Sequence, residues 1–392
     1  VSSRVARPAV AGMTMVTAGS MTANVASYGL QLVASWWLGP AGYGEFASLL
    51  AAQLVLAVPA LALQTVVARE QVHGAPVPAL RRLTYRTAAI VGVLALVAVP
   101  AAAWALDTGV VATAAALLSA PVLVLLGGEQ GLLQGQARFA GLSVVLAGAG
   151  VAKVVPAVVL LALTSSAGPA LLASTLGTAL LVVLTRVFAH TEHAGSTAGH
   201  VVGATAVLRA SQVQLALIAM SSVDLLIARI VLPVDDAGLY ALGAVATKAA
   251  FWLPQAVGVV LYPRMADPAQ SGRAVRSALT VLCGIGALVV AGAAIAAPLL
   301  PLVVGDAYRP VQSLLWAFAL QGACLAVVQG ALLSAIAGGR TRLAAVAWAA
   351  LAVEVAVMFA VAGTVGQLIA IAAVAAALTA VAASVLALRA AR

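Results

Sequence analysis

Long apolar runs recur along this chain, separated by short polar interruptions. A helix that crosses the hydrocarbon core of a bilayer needs about 20 consecutive apolar residues. With Gly, Pro and charged residues taken as breaks, the pattern predicts twelve helices, at about 12–38, 44–68, 83–105, 109–135, 140–163, 168–189, 205–231, 238–262, 275–303, 310–336, 343–362 and 366–388. These runs are far too long for barrel strands, and hydrocarbon admits only helices and closed barrels. The expected fold class is all-α: an integral membrane protein with about twelve transmembrane helices. Pro59, Pro100, Pro121, Pro156, Pro254 and Pro298 fall inside predicted helices and mark expected kinks.

Composition supports the same class. The chain is 64% hydrophobic and only 8% charged, whereas a soluble domain carries roughly 25% charged residues. Alternating the sides of successive helices sorts the basic residues. Of 20 Lys and Arg, Lys153, Arg229 and Lys248 lie inside apolar segments and Arg309 on one side; the other sixteen (20 less four) face the opposite side. Cytoplasmic loops retain Lys and Arg, so the bias predicts a bacterial-type cytoplasmic (inner) membrane protein with both termini inside. This distribution also accounts for the net charge of +9. Juxtamembrane basic residues attract anionic membrane lipid, and no basic stripe with interleaved aromatics points to nucleic acid.

Little metal or redox chemistry is suggested. Cys283 and Cys324 sit within apolar segments as small hydrophobes. His190, His193 and His200 share a polar loop with Glu192, read as solvated rather than as a metal site. No cofactor is expected. The charges on the other side, Asp107, Asp235, Asp236, Asp306 and Arg309, sit on short turns. That is thin equipment for surface catalysis, so the chain reads as a non-enzyme.

A weak internal repeat organises the helices. Helix 1 ends in Leu38-Gly39-Pro40-Ala41-Gly42-Tyr43-Gly44-Glu45-Phe46, and helix 7 in Leu232-Pro233-Val234-Asp235-Asp236-Ala237-Gly238-Leu239-Tyr240. Leu132-Leu133 precedes Arg138 much as Leu332-Leu333 precedes Arg340. The halves, 1–196 and 197–392, would be pseudo-symmetric six-helix lobes around a central cavity, a transporter-like arrangement. A monomer suffices for it.

Polar groups within the helices are the candidate site. Helix 1 carries Asn24, Tyr28 and Gln31 on one face with several Ser and Thr, and lipid penalises such a face. Helix 7 carries Asp224 and, nearer its end, Arg229; helix 8 carries Lys248 and Gln255 on one face. These residues are the expected cavity contacts, with Lys248 as a point charge for phosphate. Asp224 and Lys248 lie at similar depth and could pair. Lys153, Glu354 and Glu129 serve either coupling or structure, and Lys153 with Glu354 is one structural pairing.

The Gly39–Phe46 turn, the Asp235–Tyr240 turn and the Leu132–Phe139 end of helix 4 resemble those of polysaccharide-biosynthesis flippases of the Wzx-like type. These belong to the multidrug/oligosaccharidyl-lipid/polysaccharide exporter (MOP) superfamily. The resemblance implies a cavity lined by helices 1, 2, 7 and 8. It implies that a polyprenyl-linked oligosaccharide crosses from the inner to the outer leaflet for cell-surface polysaccharide or lipopolysaccharide biosynthesis, with glycan-assembly enzymes as partners. A cation-coupled multidrug exporter of the same superfamily is the alternative, with Asp224 and Glu354 as its acidic residues.

Overall fold

The computed structural model of the protein describes residues 2–188, 207, 211–252, 271–337 and 342–390. The helices are α1 (Ser2–Leu56), α2 (Val58–Val72), α3 (Val77–Ala105), α4 (Val110–Leu117), α5 (Ser119–Gly135), α6 (Phe139–Thr164) and α7 (Ala167–Phe188). They continue with α8 (Gln212–Met220), α9 (Val223–Val231), α10 (Val234–Trp252), α11 (Ser271–Ala296), α12 (Leu300–Val304), α13 (Leu315–Ala337), α14 (Arg342–Val361) and α15 (Val365–Ala390). Short 3₁₀ turns at Ala297–Leu299 and Asp306–Leu314 flank α12. Among the described residues, nine helical stretches are long and apolar enough to cross a membrane, and the apolar stretch Ala345–Val361 is shorter. Leu163, Leu288 and Leu302 are each more than 70% exposed, a placement that hydrocarbon favours and water does not. The chain is an all-α, multi-pass membrane protein of about a dozen apolar helices.

Several predicted helices are broken, each for a local reason. Gly39, with φ 63° and ψ 179°, joins two helices at a kink inside α1. That backbone region is essentially restricted to glycine. The second predicted helix breaks at Ala57 and the fourth at Leu118. Pro59 and Pro121 follow these breaks and cannot donate to Val55 and Leu117 four residues back. The seventh breaks at Ser221–Ser222, where no Pro or Gly is present. There the Ser221 hydroxyl donates to the Ile218 carbonyl at 2.9 Å, a local bond that competes with the helical ladder. The tenth begins as the 3₁₀ turn at Asp306, not as α-helix.

Two compact units are present. One comprises Val1–Leu38 and Ala52–Gln212; the other comprises Gly39–Ala51 and Val213–Arg392. In the first, α5 is the central helix and packs on α2, α3, α6 and α7. Gly127, Gly131 and Gly135 form a stripe at four-residue spacing. A β-carbon on each would fall 2.6–2.7 Å from the Ala60, Gln64 or Ala68 carbonyl oxygen of α2. Small residues at this spacing let membrane helices approach to backbone contact. On α2 and α5, Gln64 also donates to Gln134 at 3.2 Å.

In the second unit α13 is central and packs on α10, α11 and α15. Phe318, Gln321, Leu325 and Val328 are fully buried on it. The 39–51 segment packs on the start of α10. A β-carbon on Gly238 would overlap the Pro40 carbonyl oxygen at 1.9 Å, and one on Gly44 would lie 3.1 Å from the Gly238 nitrogen. Tyr43 and Tyr308 meet edge to face with ring centroids 6.4 Å apart. The two similar turns noted in the sequence are thus packed together in one unit.

These contacts fix the expected response to added volume. Gly131→Leu and Gly238→Ala should each lower the thermal stability of the detergent-solubilised protein, by roughly 1–3 kcal/mol for overpacking. Gly29→Ala should leave stability unchanged or raise it, because a β-carbon there meets nothing within 4 Å. Melting curves of the three variants check the contrast; a Gly238→Ala protein as stable as wild type would contradict the packing.

Candidate functional site

The Ser221–Ser222 break restarts the helix at Val223, which puts Asp224 in the first turn of α9. Both serines and Asp224 are buried. One carboxylate oxygen of Asp224 accepts the Leu225 backbone N–H at 2.8 Å. The other accepts from the Tyr240 hydroxyl at 2.8 Å and from the Gln321 amide at 2.9 Å. Tyr240 belongs to α10 and Gln321 to α13, so this one carboxylate connects three helices. Behind it, the Thr247 hydroxyl lies 3.0 Å from the Gln321 side-chain oxygen and 2.9 Å from the Phe318 carbonyl. The Tyr240 and Phe318 rings pack edge to face at 5.0 Å.

Glu354 completes the acidic pair. Its helix, α14, packs on α9, which carries Asp224. Glu354 is 5% exposed. Its Oε2 is buried with no hydrogen-bond partner among the described residues. Two buried carboxyl groups on packed helices repel when both are ionised, and an unpartnered buried oxygen is costly. A proton or a small cation relieves both penalties. Chemically, the pair is equipped to take up and release positive charge.

The other expected residues divide between the units. Asn24 is exposed, and Tyr28 and Gln31 are half-buried, on the part of α1 in the first unit. Lys248 and Arg229 are half-buried in the second unit. Gln255 lies outside the described residues, as do His190, Glu192, His193 and His200. Asp224 and Glu354 stand on packed helices of the second unit, and Lys153 belongs to the first. The described hydrogen bonds to Asp224 come from a backbone N–H, a hydroxyl and an amide.

Glu129 lies at the centre of a separate cluster in the first unit. It is 2% exposed and accepts from Arg81 Nη2 at 3.2 Å and from Arg186 Nε at 2.9 Å. It therefore ties α5 to α3 and α7. Tyr240, Gln321 and Thr247 were not singled out in the sequence. Gln321 and Thr247 stand in otherwise apolar stretches, a signal of the same kind as Asn24 and Gln31. Nothing local distinguishes Tyr240 from an aromatic at a helix start.

No protein-family model matches the sequence, and no curated protein matches it either. Solved structures do match in fold. An inward-facing multidrug resistance MATE family transporter of the MOP superfamily aligns over 96% of this chain and 97% of its own, at TM-score 0.70 and 12% identity. A Vibrio cholerae MATE transporter aligns over 98% and 97%, at TM-score 0.65 and 15% identity. A MOP superfamily transporter from Pyrococcus furiosus aligns over 98% and 94%, at TM-score 0.55 and 15% identity.

This likeness overturns the Wzx-like subgroup. With it go the oligosaccharide flippase reading, the polysaccharide and lipopolysaccharide terms, the lipid-linked oligosaccharide as cargo and the glycan-assembly enzymes as partners. The turn residues that carried the resemblance have structural work: Gly39 makes a kink and Gly238 permits a backbone contact. Such turns specify how helices bend and approach, not what crosses the membrane. The likeness is one of fold: the chain folds as the MATE transporters it matches do.

Proposed function

We propose that this protein is a cation-coupled exporter of small organic solutes, with Asp224 and Glu354 as its coupling site. The observation that carries the reading is the buried carboxylate pair, with one unpartnered oxygen on Glu354. An ionisable group at membrane depth is costly and marks an ion or substrate path by default. The full-length likeness to multidrug MATE transporters supports the exporter class.

In this reading, Glu354 Oε2 and Asp224 receive the coupling cation or proton together. Neutralising the pair removes the repulsion between α9 and α14. It also weakens the demand of Asp224 for the Tyr240 and Gln321 donors, so those bonds can rearrange. The short α9, uncoupled from α8 by the Ser221–Ser222 break, is the element able to respond. Discontinuous membrane helices position ion-binding groups in other transporters. In the first unit Asn24, Tyr28 and Gln31 offer a polar face to the solute, and in the second Lys248 and Arg229 offer theirs. The repeat units are 1–196 and 197–392. Both termini face the cytoplasm, the side that carries sixteen of the 20 basic residues.

Purified protein in liposomes should expel ethidium when a sodium or proton gradient is imposed, and stop when the gradient is collapsed. Asp224→Asn and Glu354→Gln should each cut gradient-driven efflux by about ten-fold or more, the rate equivalent of one lost charged hydrogen bond. Tyr240→Phe keeps the ring and loses only one donor to Asp224. Its expected stability cost is about 1 kcal/mol, with an intermediate effect on efflux. Wild-type efflux from an Asp224→Asn/Glu354→Gln double variant, or efflux indifferent to both gradients, would overturn the coupling assignment.

A further inference from the structure

The first unit carries a charge cluster that the proposed transport chemistry does not use. Arg81, Arg82 and Arg86 lie near the start of α3 and Arg186 in the last turn of α7. Arg81 and Arg186 share the buried Glu129 carboxylate. Arg186 Nη1 also donates to the Tyr85 hydroxyl at 2.5 Å, and its guanidinium lies 4.8 Å from the centre of the Tyr85 ring. Four arginines less one glutamate leave a formal charge of +3. Among the described residues, Glu129 is the only acid ion-paired with these four arginines.

Two features show that Glu129 does not complete the cluster. Arg81 Nε and Arg186 Nη2 are buried without hydrogen-bond partners among the described residues. Yet the two side chains are not sealed: they are 29% and 25% exposed, and Arg82, Tyr85 and Arg86 are exposed beside them. A guanidinium offers five N–H donors. Arg81 uses one in the described bonds and Arg186 two. Among the described residues the cluster has donors and positive charge to spare and no second carboxylate.

The surroundings identify the acceptor. Beyond Tyr85, the same two helices turn large apolar side chains outward: Val93 and Val97 on α3, Leu180 and Val183 on α7. Charge at the helix ends, an amphipathic ring, then an apolar wall reproduces the order of headgroup, interface and acyl chain. A soluble anion would use the arginines but leave the wall without a role. Basic pockets between membrane helices on the cytoplasmic side suit acidic lipid headgroups, and Arg matches the planar geometry of phosphate oxygens.

We propose that the phosphate of an anionic phospholipid docks on Arg81, Arg82, Arg86 and Arg186, with its acyl chains along α3 and α7. The lipid fastens the ends of these helices around Glu129.

The test uses full-length protein in neutral detergent, titrated with phosphatidylglycerol or with phosphatidylcholine of the same chains. Native mass spectrometry reads bound lipid and a melting curve reads stability. Phosphatidylglycerol should be retained and should raise the melting temperature; phosphatidylcholine should do neither. Arg82→Gln/Arg86→Gln leaves the Glu129 pairs intact and should weaken phosphatidylglycerol binding roughly ten- to thirty-fold. Arg82→Lys/Arg86→Lys keeps the charges and should fall between. Equal phosphatidylglycerol retention by wild type and the Gln variant would overturn the site. Protection by inorganic phosphate alone, equal to that by phosphatidylglycerol, would overturn the lipid as its source. If the Gln variant is unstable, wild type decides: retaining phosphatidylcholine as well as phosphatidylglycerol would refute an acidic-lipid site.

Discussion

A carboxylate inside a membrane protein has no water to fall back on, and both units are organised around that constraint. Desolvating a charge is far more costly than burying a neutral group. Two of the buried acids recruit donors from neighbouring helices. Glu129 on α5 is met by arginines of α3 and α7. Asp224 on α9 is met by Tyr240 of α10 and Gln321 of α13. In both cases the helix at the centre of its unit, α5 or α13, carries one member of the polar contact. Satisfying the acid and packing the core are the same event.

The two solutions differ in a way that bears on function. Glu129 is matched by two guanidinium groups, which hold its side chain in place. In the described bonds Asp224 is matched by neutral donors, and the packed helix α14 carries a second carboxyl whose Oε2 lacks a partner among the described residues. The first arrangement resists change; the second is poised to bind a cation or proton. The helix break at Ser221–Ser222 adds to this contrast. It separates α9 from α8 where the acid sits, whereas α5 runs unbroken through Glu129. The arginines that hold Glu129 also leave a surplus of positive charge at the helix ends, where an acidic lipid can complete them.

Backbone approach is the second organising feature. Membrane helices gain little from hydrophobic exclusion and rely on close packing. The glycine stripe of α5 on α2, and Gly238 against Pro40, are such contacts. They account for residues whose repetition in the sequence looked like a family signature. A Gly-Pro or Ala-Gly turn is shared by proteins with different cargoes, because bending and crossing helices is a common requirement. The sugar-lipid expectation failed there: it drew cargo from residues that serve only geometry.

The sequence alone determined the membrane class, the approximate positions of the helices and the polar residues that hydrocarbon would penalise. Hydrophobic run length and proline are local properties, and local properties survive without knowledge of the fold. The Gly127–Gly131–Gly135 spacing was also legible, though its partner helix was not. Only the tertiary structure decided that Asp224 meets Tyr240 and Gln321, that the helix of Glu354 packs on its own, and that Arg81 and Arg186 share Glu129. The members of these clusters are separated by 16 and 97 positions for the side-chain donors to Asp224 and by 48 and 57 for those to Glu129. Helix periodicity reports which face a residue occupies, not which helix covers it. That assignment depends on how the helices pack, and it decided which of the buried charges is held by ion pairs and which by neutral donors.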